Sequence, residues 1–318
     1  MELITLDAIR EAQARIAGTA YHTPLIKAHT LEGVYFKPES LQPIGSFKIR
    51  GAYNKIAALS DEERARGVIA YSSGNHAQGV AYAARALGIK AVIVMPDSAP
   101  RIKIENTRSY GAQVVLYDML TEKRDEVAHR LMTEHNYVLV PPFNDHFVIA
   151  GQGTIGLEIF ADLPDVDLVL TPVGGGGLLS GVAAALKSLK PSVKVVGVEP
   201  AFAADAQASL RSGQIVKITP QDAQRTIADG VRTLAVEPIT FAHLQQYADD
   251  ILSVSEDELR ASVREMVLMH KLIIEPTSAL PLAAYRYHHD ELPPARNVVL
   301  VLSGGSVDPA QLAELIVA

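Results

Sequence analysis

One lysine stands where a helix disfavours positive charge. The segment 42–53 is typical of a turn rich in proline and glycine, followed by a helix with Ser46 as its N-cap. Lys48 and Arg50 then lie in the first turn, where the helix dipole disfavours each cation by about 0.3–1 kcal/mol. The same field lowers the pKa of an amine, which suits a nucleophile or base. Lys48 is therefore a candidate catalytic residue, the alternative being a solvated lysine that only begins a helix.

Three loops rich in glycine and serine follow apolar segments that we predict to be strands. They are Ser72-Ser73-Gly74-Asn75-His76 after Val68–Tyr71, a run of four glycines after Leu168–Val173, and Ser303-Gly304-Gly305 after Val298–Leu302. Ligands of open α/β sheets bind beyond the carboxyl ends of the strands. If these strands are parallel, all three loops face one cleft.

The run of glycines predicts a site for an anion. It consists of Gly174, Gly175, Gly176 and Gly177. Glycines let backbone N–H groups approach an anion closely, and a helix predicted to start near Leu178 points its positive end at the same place. Phosphate is the natural ligand, and a flexible turn is the alternative.

A nucleotide fits these glycines poorly. Glu199 lies about 20 residues further on, as ribose-binding acids do, but the third glycine of G-x-G-x-x-G is missing, and no G-K-[ST] of a P-loop follows. One phosphate together with an activated lysine instead indicates pyridoxal phosphate, held as a lysine Schiff base. A hydrolase with a Ser-Lys pair, using Ser46 or Ser73, is the alternative from another class, but it has no need of four glycines.

Five motifs together resemble the threonine ammonia-lyase and serine racemase family of fold-type II pyridoxal phosphate enzymes. They are the segments 46–52, 72–79, 150–156, 174–177 and 303–305. The likeness spans nearly the whole chain, with the motifs in the right order. Cysteine synthases are less similar, since neither their lysine motif nor their phosphate loop is present.

The resemblance implies roles around the cofactor. Lys48 would carry it and the glycines 174–177 would hold its phosphate. Asn75 would bond the ring hydroxyl, Phe47 would pack on the ring, and Ser303 would meet the pyridine nitrogen. A neutral hydroxyl at that nitrogen suits expulsion of a β-leaving group.

The resemblance also implies a substrate site and a reaction. Ser72, Ser73 and His76 would receive the substrate carboxylate at a helix N-terminus. The freed amine of Lys48 would remove the Cα proton, the β-hydroxyl would leave, and a 2-oxo acid and ammonia would result. L-Threonine is the expected substrate, with L-serine second. Ser73 also makes serine racemase an alternative, because in racemising members such a serine reprotonates Cα from the opposite face.

Two further features separate members of the family. Glu199, Ala203 and Asp205 have the spacing at which racemase-like members place a divalent cation, and hard oxygen ligands of this kind suit Mg²⁺ or Ca²⁺. Two solvated acids are the alternative. Arg124 aligns with an arginine that such racemases turn towards a second substrate carboxylate, which would favour threo-3-hydroxyaspartate. An arginine on a helix surface is the alternative there.

The composition excludes several classes of protein. The 318 residues are 48% apolar and 20% charged, with a net charge of −7, and they include no cysteine. No dense basic stretch could neutralise nucleic-acid phosphates, and disulfides and cysteine-bound metals are excluded. No long apolar run predicts a membrane span, so we expect a cytoplasmic enzyme. Family likeness alone predicts a homodimer or homotetramer. A non-catalytic ligand-binding protein, in which Lys48 is inert, is the alternative from another class.

The elements that must position these residues alternate between short apolar segments and helical ones. This pattern predicts βαβ units, and hence an α/β fold with mostly parallel twisted sheets and helices on both faces. The family resemblance implies that the fold is two-lobed, like that of the tryptophan synthase β chain. We predict a large cofactor-binding domain of residues 1–65 and 145–318 and a small inserted α/β domain of 66–144, with Pro141-Pro142 near the boundary. We expect no C-terminal regulatory domain and no feedback inhibition by isoleucine, because the sequence stops at Ala318, directly after the expected core.

Overall fold

The computed structural model describes residues 2–72, 74–99 and 101–317. The helices of this range are α1 (Leu6–Ile16), α2 (Lys48–Ala57), α3 (Asp61–Arg66), α4 (Asn75–Ala86), α5 (Arg101–Ser109), α6 (Arg124–His135), α7 (His146–Asp162), α8 (Gly177–Leu189), α9 (Asp205–Ser212), α10 (Pro220–Ala223), α11 (Pro238–Tyr247), α12 (Glu256–Leu268), α13 (Leu280–Tyr287) and α14 (Pro309–Val317). The strands are β1 (Ile26–Lys27), β2 (Val34–Pro38), β3 (Val68–Tyr71), β4 (Ala91–Pro96), β5 (Gln113–Tyr117), β6 (Val138–Leu139), β7 (Leu168–Pro172), β8 (Lys194–Pro200), β9 (Asp250–Val254) and β10 (Val298–Leu302).

The strands form two sheets. A six-stranded sheet has the order β1-β2-β10-β7-β8-β9, and a four-stranded sheet has the order β5-β4-β3-β6. Strand β1 pairs antiparallel with β2, and the other strand pairs are parallel. The predicted α/β architecture with mostly parallel sheets is therefore confirmed.

The large sheet is buried on both faces because successive side chains of a strand point to opposite sides. In β7, Leu168 and Leu170 join the core formed with α12 and α13. Val169, between them, joins the core formed with α7 and α8. The continuous apolar strands that the sequence shows are explained by helices on both faces.

The small sheet is covered in the same way. Ile93 of β4 packs with α4, whereas Val92 and Val94 pack against α6. All strands of this sheet lie within residues 68–139, and those of the large sheet lie outside that range. We propose the division predicted from the sequence, with residues 66–144 as a small domain inserted into a large one.

Helix α2, which begins with Lys48, lies between the two sheet systems. Ala52 and Ile56 join the core of the small sheet. On another side α2 contacts α7 so closely that a Cβ on Gly151 would lie 2.6 Å from Gly51 Cα and 2.6 Å from the Arg50 carbonyl oxygen. This close approach of two backbones fixes the helix that carries the candidate catalytic lysine.

The start of α2 differs from the prediction. Phe47 occupies the N-cap without a side-chain cap, and Ser46 forms an isolated β-bridge with Gly304. The prediction that Ser46 caps the helix is therefore wrong, because its backbone is used for pairing with a distant segment. By contrast, Thr5 caps α1, and a capping box of Ser255 and Glu258 opens α12.

None of the helices in the described ranges combines the length and the apolar character that crossing a bilayer requires.

Candidate active site

The segment before Lys48 is fixed by the loop that follows β10. The Phe47 N–H donates to the Ser303 carbonyl at 3.0 Å, and the Gly305 N–H donates to the Gly45 carbonyl at 2.8 Å. This short pairing joins two of the motifs that the sequence singled out. It holds the first turn of α2 against the end of a central strand.

The amine of Lys48 is bound by a backbone carbonyl. Its Nζ donates to the Pro142 carbonyl at 2.7 Å and lies 5.2 Å from the centre of the Phe47 ring. Burial lowers the pKa of Lys48 to about 8, although the charge of Glu275 opposes this shift. A substantial fraction of the lysine is therefore neutral near physiological pH, as a nucleophile or base requires.

The four glycines form a cradle with no room for side chains. A Cβ on Gly175 would overlap the Phe143 ring, and one on Gly177 would lie 2.8 Å from Phe143 Cβ. Gly176 has φ +86°, in the left-handed region that favours glycine, and it is the N-cap of α8 with no side-chain cap. A helix N-terminus left open in this way fits a phosphate group.

A carboxylate that the sequence analysis missed faces Asn75. The Nδ2 of Asn75 donates to both oxygens of Glu275, at 3.0 and 2.9 Å. Burial, together with the charge of Asp229, raises the pKa of Glu275 to about 7. Glu275 lies 200 positions along the chain from Asn75, so no local signal could have pointed to this contact.

Ser303 is buried at the end of β10, and its hydroxyl has a serine neighbour. Its Oγ lies 3.0 Å from the Oγ of Ser278, which also donates to the Gly304 carbonyl and accepts from the Gly304 N–H. Ser278 belongs to a 3-10 turn, Pro276–Ala279, that the sequence analysis also missed. These bonds orient the hydroxyl predicted to meet the pyridine nitrogen.

The loop after β3 leads into the N-terminus of α4. Gly74 is the N-cap without a side-chain cap, and Ser72 Oγ accepts from the Gly74 N–H at 3.3 Å. The predicted residue Ser73 lies outside the described residues. His76 bonds the Val140 carbonyl through Nε2 at 2.8 Å, and burial, with the nearby Lys48 charge, lowers its pKa to about 3. His76 is thus neutral and adds no positive charge to the carboxylate site predicted at this loop.

Arg124 begins α6, and its guanidinium carbon lies 4.9 Å from the centre of the Tyr71 ring. Tyr71 ends β3 and directly precedes Ser72. The arginine predicted to meet a second carboxylate is therefore held beside the substrate loop by an aromatic ring.

The three predicted cation ligands come together beyond β8. Glu199 lies within the last residues of β8, Ala203 ends a 3-10 turn, and Asp205 begins α9. Glu199 accepts from the N–H groups of Ala206 and Gln207. No hydrogen bond of ordinary geometry from the described residues reaches either carboxylate oxygen of Asp205, although the N–H groups of Asp205 and Val236 lie near enough to lower its pKa slightly.

Neither Glu199 nor Asp205 forms an ion pair among the residues that the structure describes. Burial raises the pKa of Glu199, and the nearby Asp205 raises it further. Burial also raises the pKa of Asp205 to about 7. In the described part of the chain, no cluster of three or more His, Asp or Glu side chains could hold a metal, so backbone oxygens would have to complete the coordination. Two buried acids, one of which has an unpartnered carboxylate, fit a hard cation.

A buried ionic network supports the first turn of α2. The Arg50 guanidinium bonds Glu39 at 2.7 Å through Nε and Glu158 at 2.6 Å through Nη1, and Lys37 bonds Glu158 at 2.6 Å. Burial alone would lower the pKa of Arg50, but the two carboxylates raise it overall. The second cation of this turn is therefore an anchor for the helix.

Known proteins of one family resemble this chain over most of its length. Residues 16–304 match the family described as pyridoxal-phosphate dependent enzymes. The chain is 44% identical to an L-threonine ammonia-lyase of Thermotoga maritima, over 99% of this chain and 78% of that protein. It is 42% identical to an L-threo-3-hydroxyaspartate ammonia-lyase of Saccharomyces cerevisiae, over 98% and 96% of the two chains.

A solved structure gives the same result for the fold. The structure of maize serine racemase superposes with a TM-score of 0.94 at 36% identity, over 98% of this chain and 97% of that one. The resemblance to the threonine ammonia-lyase and serine racemase group is thereby confirmed, as is the fold-type II architecture. With an open glycine cradle beside a lysine of lowered pKa, the chain belongs to the family of pyridoxal-phosphate dependent enzymes, and pyridoxal phosphate is its cofactor.

Proposed function

We propose that this enzyme dehydrates and deaminates L-threonine, and L-serine as a second substrate, to 2-oxobutanoate or pyruvate and ammonia. The observation that carries the proposal is the Lys48 amine, which is held by the Pro142 carbonyl and has its pKa lowered to about 8 beside the glycine cradle. Such an amine can hold the cofactor and then take a proton from Cα.

We assign the cofactor contacts to the residues that the family resemblance implies. Gly174, Gly175, Gly176 and Gly177 bind the phosphate at the N-terminus of α8. Phe47 packs on the ring, Asn75 meets the ring hydroxyl, and Ser303 meets the pyridine nitrogen through a hydroxyl that Ser278 orients. When bound, pyridoxal phosphate supplies an electron sink for the charge that develops at Cα.

The protein groups divide the remaining tasks. Backbone N–H groups at the open N-terminus of α4 bind the substrate carboxylate. His76 is neutral and adds no charge of its own. Lys48 removes the Cα proton. We propose that Ser73 faces the opposite side of the substrate, as the family resemblance implies.

A second candidate substrate is L-threo-3-hydroxyaspartate. Arg124 lies against Tyr71, directly beside the substrate loop, where a guanidinium could pair with a second carboxylate. The relative from S. cerevisiae carries this activity in its name. Stacking on Tyr71 engages one face of the guanidinium and leaves its N–H groups free, so Arg124 is the residue whose removal separates this candidate from threonine.

The buried acids beyond β8 support a cation site of the kind that the resemblance implies for racemase-like members. We propose that Glu199, Asp205 and the Ala203 carbonyl bind Mg²⁺ or Ca²⁺, since no hydrogen bond of ordinary geometry from the described residues reaches the Asp205 carboxylate. Serine racemisation is therefore measured along with elimination. A cytoplasmic location and assembly as a homodimer or homotetramer are further parts of the proposal.

A substrate panel tests the proposal. Purified holoenzyme is given L- and D-threonine, L- and D-serine and L-threo-3-hydroxyaspartate, with Mg²⁺ or with chelator, and both 2-oxo acid and product handedness are followed. We expect L-threonine to be turned over fastest. Lys48→Ala should lower turnover by at least about 10²-fold. Treatment of this variant with borohydride should no longer attach the cofactor covalently to the protein.

Two results would change the assignment. If hydroxyaspartate is turned over faster than threonine, and Arg124→Ala loses this preference, hydroxyaspartate would replace threonine as the assigned substrate. Interconversion of L- and D-serine, lost in Ser73→Ala while elimination continues, would add racemisation.

A further inference from the structure

The contact between Asn75 and Glu275 joins the two sheet systems across the site. Asn75 begins α4 beside the small sheet, and Glu275 precedes the 3-10 turn Pro276–Ala279 beside the large sheet. The Glu275 N–H donates to the Gly304 carbonyl at 3.1 Å, next to Ser303. A Cβ on Gly304 would lie 3.0 Å from Glu275 Oε1, so the glycine leaves space for the carboxylate. The contact is therefore part of the site's construction.

The chemistry of the pair fixes which way the amide of Asn75 faces. An ionised carboxylate has acceptors only, and an amide has one donor end and one acceptor end. Since Nδ2 donates to both oxygens of Glu275, the carbonyl oxygen Oδ1 is directed away from the carboxylate. A protonated Glu275 could instead donate to Oδ1 and release the amide N–H groups.

The ionisation of Glu275 depends first on its burial and then on the charged groups around it. Burial raises the pKa of Glu275, Asp229 in the 3-10 turn Asp229–Val231 raises it further, and Lys103 of α5 lowers it. Lys103 and Asp229 form an ion pair of 2.8 Å. Asn75 and the Ser306 backbone stabilise the carboxylate through hydrogen bonds, and Lys48 of α2 is the other titrating group that senses its charge. With a pKa of about 7, the carboxylate changes ionisation near neutral pH.

We propose that Glu275 is a positioning residue that decides whether Asn75 offers the cofactor's ring hydroxyl an acceptor or a donor. The inference rests on the proposed contact between Asn75 and that hydroxyl. With Glu275 ionised, Asn75 presents Oδ1, and the proton stays on the ring oxygen. With Glu275 protonated, the amide N–H groups face the ring and stabilise an ionised ring oxygen. A single carboxylate thus sets the protonation of the cofactor without touching it.

The absorption spectrum of the resting holoenzyme tests this, because the bands of bound pyridoxal phosphate depend on the protonation of its ring oxygen. The spectrum of the wild type should titrate with a midpoint near 7. Glu275→Gln, which keeps the shape but removes the charge, should abolish this titration. Loss of the oriented hydrogen bond should raise the dissociation constant of pyridoxal phosphate about two- to tenfold.

A variant away from the contact should shift the midpoint of the spectral titration in one direction, which a loss of structure would not do. Lys103→Ala leaves Asp229 unopposed, so the midpoint of the spectral titration should move to higher pH. Glu256→Gln makes the same chemical change at a carboxylate that bonds the Ile227 N–H at 2.8 Å and should leave the midpoint unmoved. A wild-type spectrum without a titration near pH 7, or one that persists in Glu275→Gln, would overturn the proposal.

A measurement on the unaltered protein covers the case in which Glu275→Gln does not fold. In ¹⁵N-labelled holoenzyme, the side-chain amide resonances of Asn75, assigned by comparison with Asn75→Ala, should shift with the same midpoint as the spectrum. Resonances that stay constant across that range would contradict the inference. These readouts need no substrate, so an enzyme that binds the cofactor but does not dehydrate threonine would refute the proposed function and leave this inference to be judged separately.

Discussion

At the residue scale, the site depends on groups whose surroundings change their ordinary chemistry. Lys48 is kept partly neutral by burial, and His76 is kept neutral by burial and by the Lys48 charge. The glycines are equally specific, because Gly175 and Gly177 lie against Phe143 where a side chain would not fit. Each of these positions therefore tolerates little chemical change.

The glycine cradle predicts that adding a single methyl group at Gly175 weakens cofactor binding. Gly175→Ala would push a Cβ into the Phe143 ring, and overpacking of this kind costs about 1–3 kcal/mol. We expect the dissociation constant of pyridoxal phosphate to rise by at least about fivefold, measured by fluorescence titration of the apoenzyme. Phe143→Leu in the same chain should recover part of the loss, and a double variant as weak as Gly175→Ala would show that Phe143 is not the obstacle.

At the element scale, α2 is held at both ends of its first turn. The pairing with Ser303 and Gly305 fixes the residues before Lys48, and Arg50 fixes the residues after it through Glu39 and Glu158. Sites are most effective when the side chains that act are held by rigid elements and supporting hydrogen bonds. The ionic network therefore serves the position of Lys48 as well as the stability of the fold.

Removing the cation from this network should be costly. Arg50→Met leaves Glu39 and Glu158 buried with one fewer base, and breaking a buried pair in this way costs about 3–5 kcal/mol. The free energy of unfolding, from urea denaturation, is the measurement. Arg10→Met is the control at an exposed pair, because Arg10 lies 3.3 Å from Asp7 with the two side chains 58% and 86% exposed, and it should cost about 0–1 kcal/mol. Equal losses in the two variants would contradict the role assigned to Arg50.

The sequence predicts those elements whose signal is local. The apolar β-branched strands Val68–Tyr71 and Val298–Leu302 have the predicted bounds. Strand β2 was missed, since Lys37 interrupts its apolar run, and only the fold shows that Lys37 is buried against Glu158. The false cap at Ser46 has the same origin, because a distant partner, Gly304, overrides a local preference.

The candidate site shows the same difference between residues with a local signal and residues with distant partners. Lys48 and the four glycines could be found from residue type and spacing, because their chemistry needs contiguous motifs. Glu275 and Ser278 could not, since each acts through a residue far away in sequence. The roles assigned to Ser73 and Arg124 rest on family resemblance and stay predictions.

At the scale of the whole molecule, buried acids link stability to pH and to cations. Asp205 has a folded pKa of about 7 and an ordinary value of 3.8. Between these values the folded state binds more protons than the unfolded state, so this group's contribution to stability is lost as pH rises towards 7. A bound divalent cation would reverse this dependence of stability on pH, because it binds the deprotonated carboxylate.

The comparison of wild type with Asp205→Asn isolates this effect from the other titrating groups. In chelator, we expect the melting temperature of the wild type to fall relative to that of Asp205→Asn as pH is raised from about 5 to about 8. Added Mg²⁺ or Ca²⁺ should raise the melting temperature of the wild type and leave the variant unchanged. A wild type that is insensitive to both cations at pH 8 would remove the cation site from the proposal.

The position of β10 has a consequence for how the enzyme matures during synthesis. This strand lies between β2 and β7, so residues 34–38 have no neighbour on that side until residue 302 has left the ribosome. The four-stranded sheet needs only the contiguous segment 68–139 and can form much earlier. Since the loop after β10 also fixes the turn before Lys48, a nascent chain gains its vitamin-binding lysine in working order only after residues 303–305 have been made. Uptake of the vitamin would then report that the six-stranded sheet has formed.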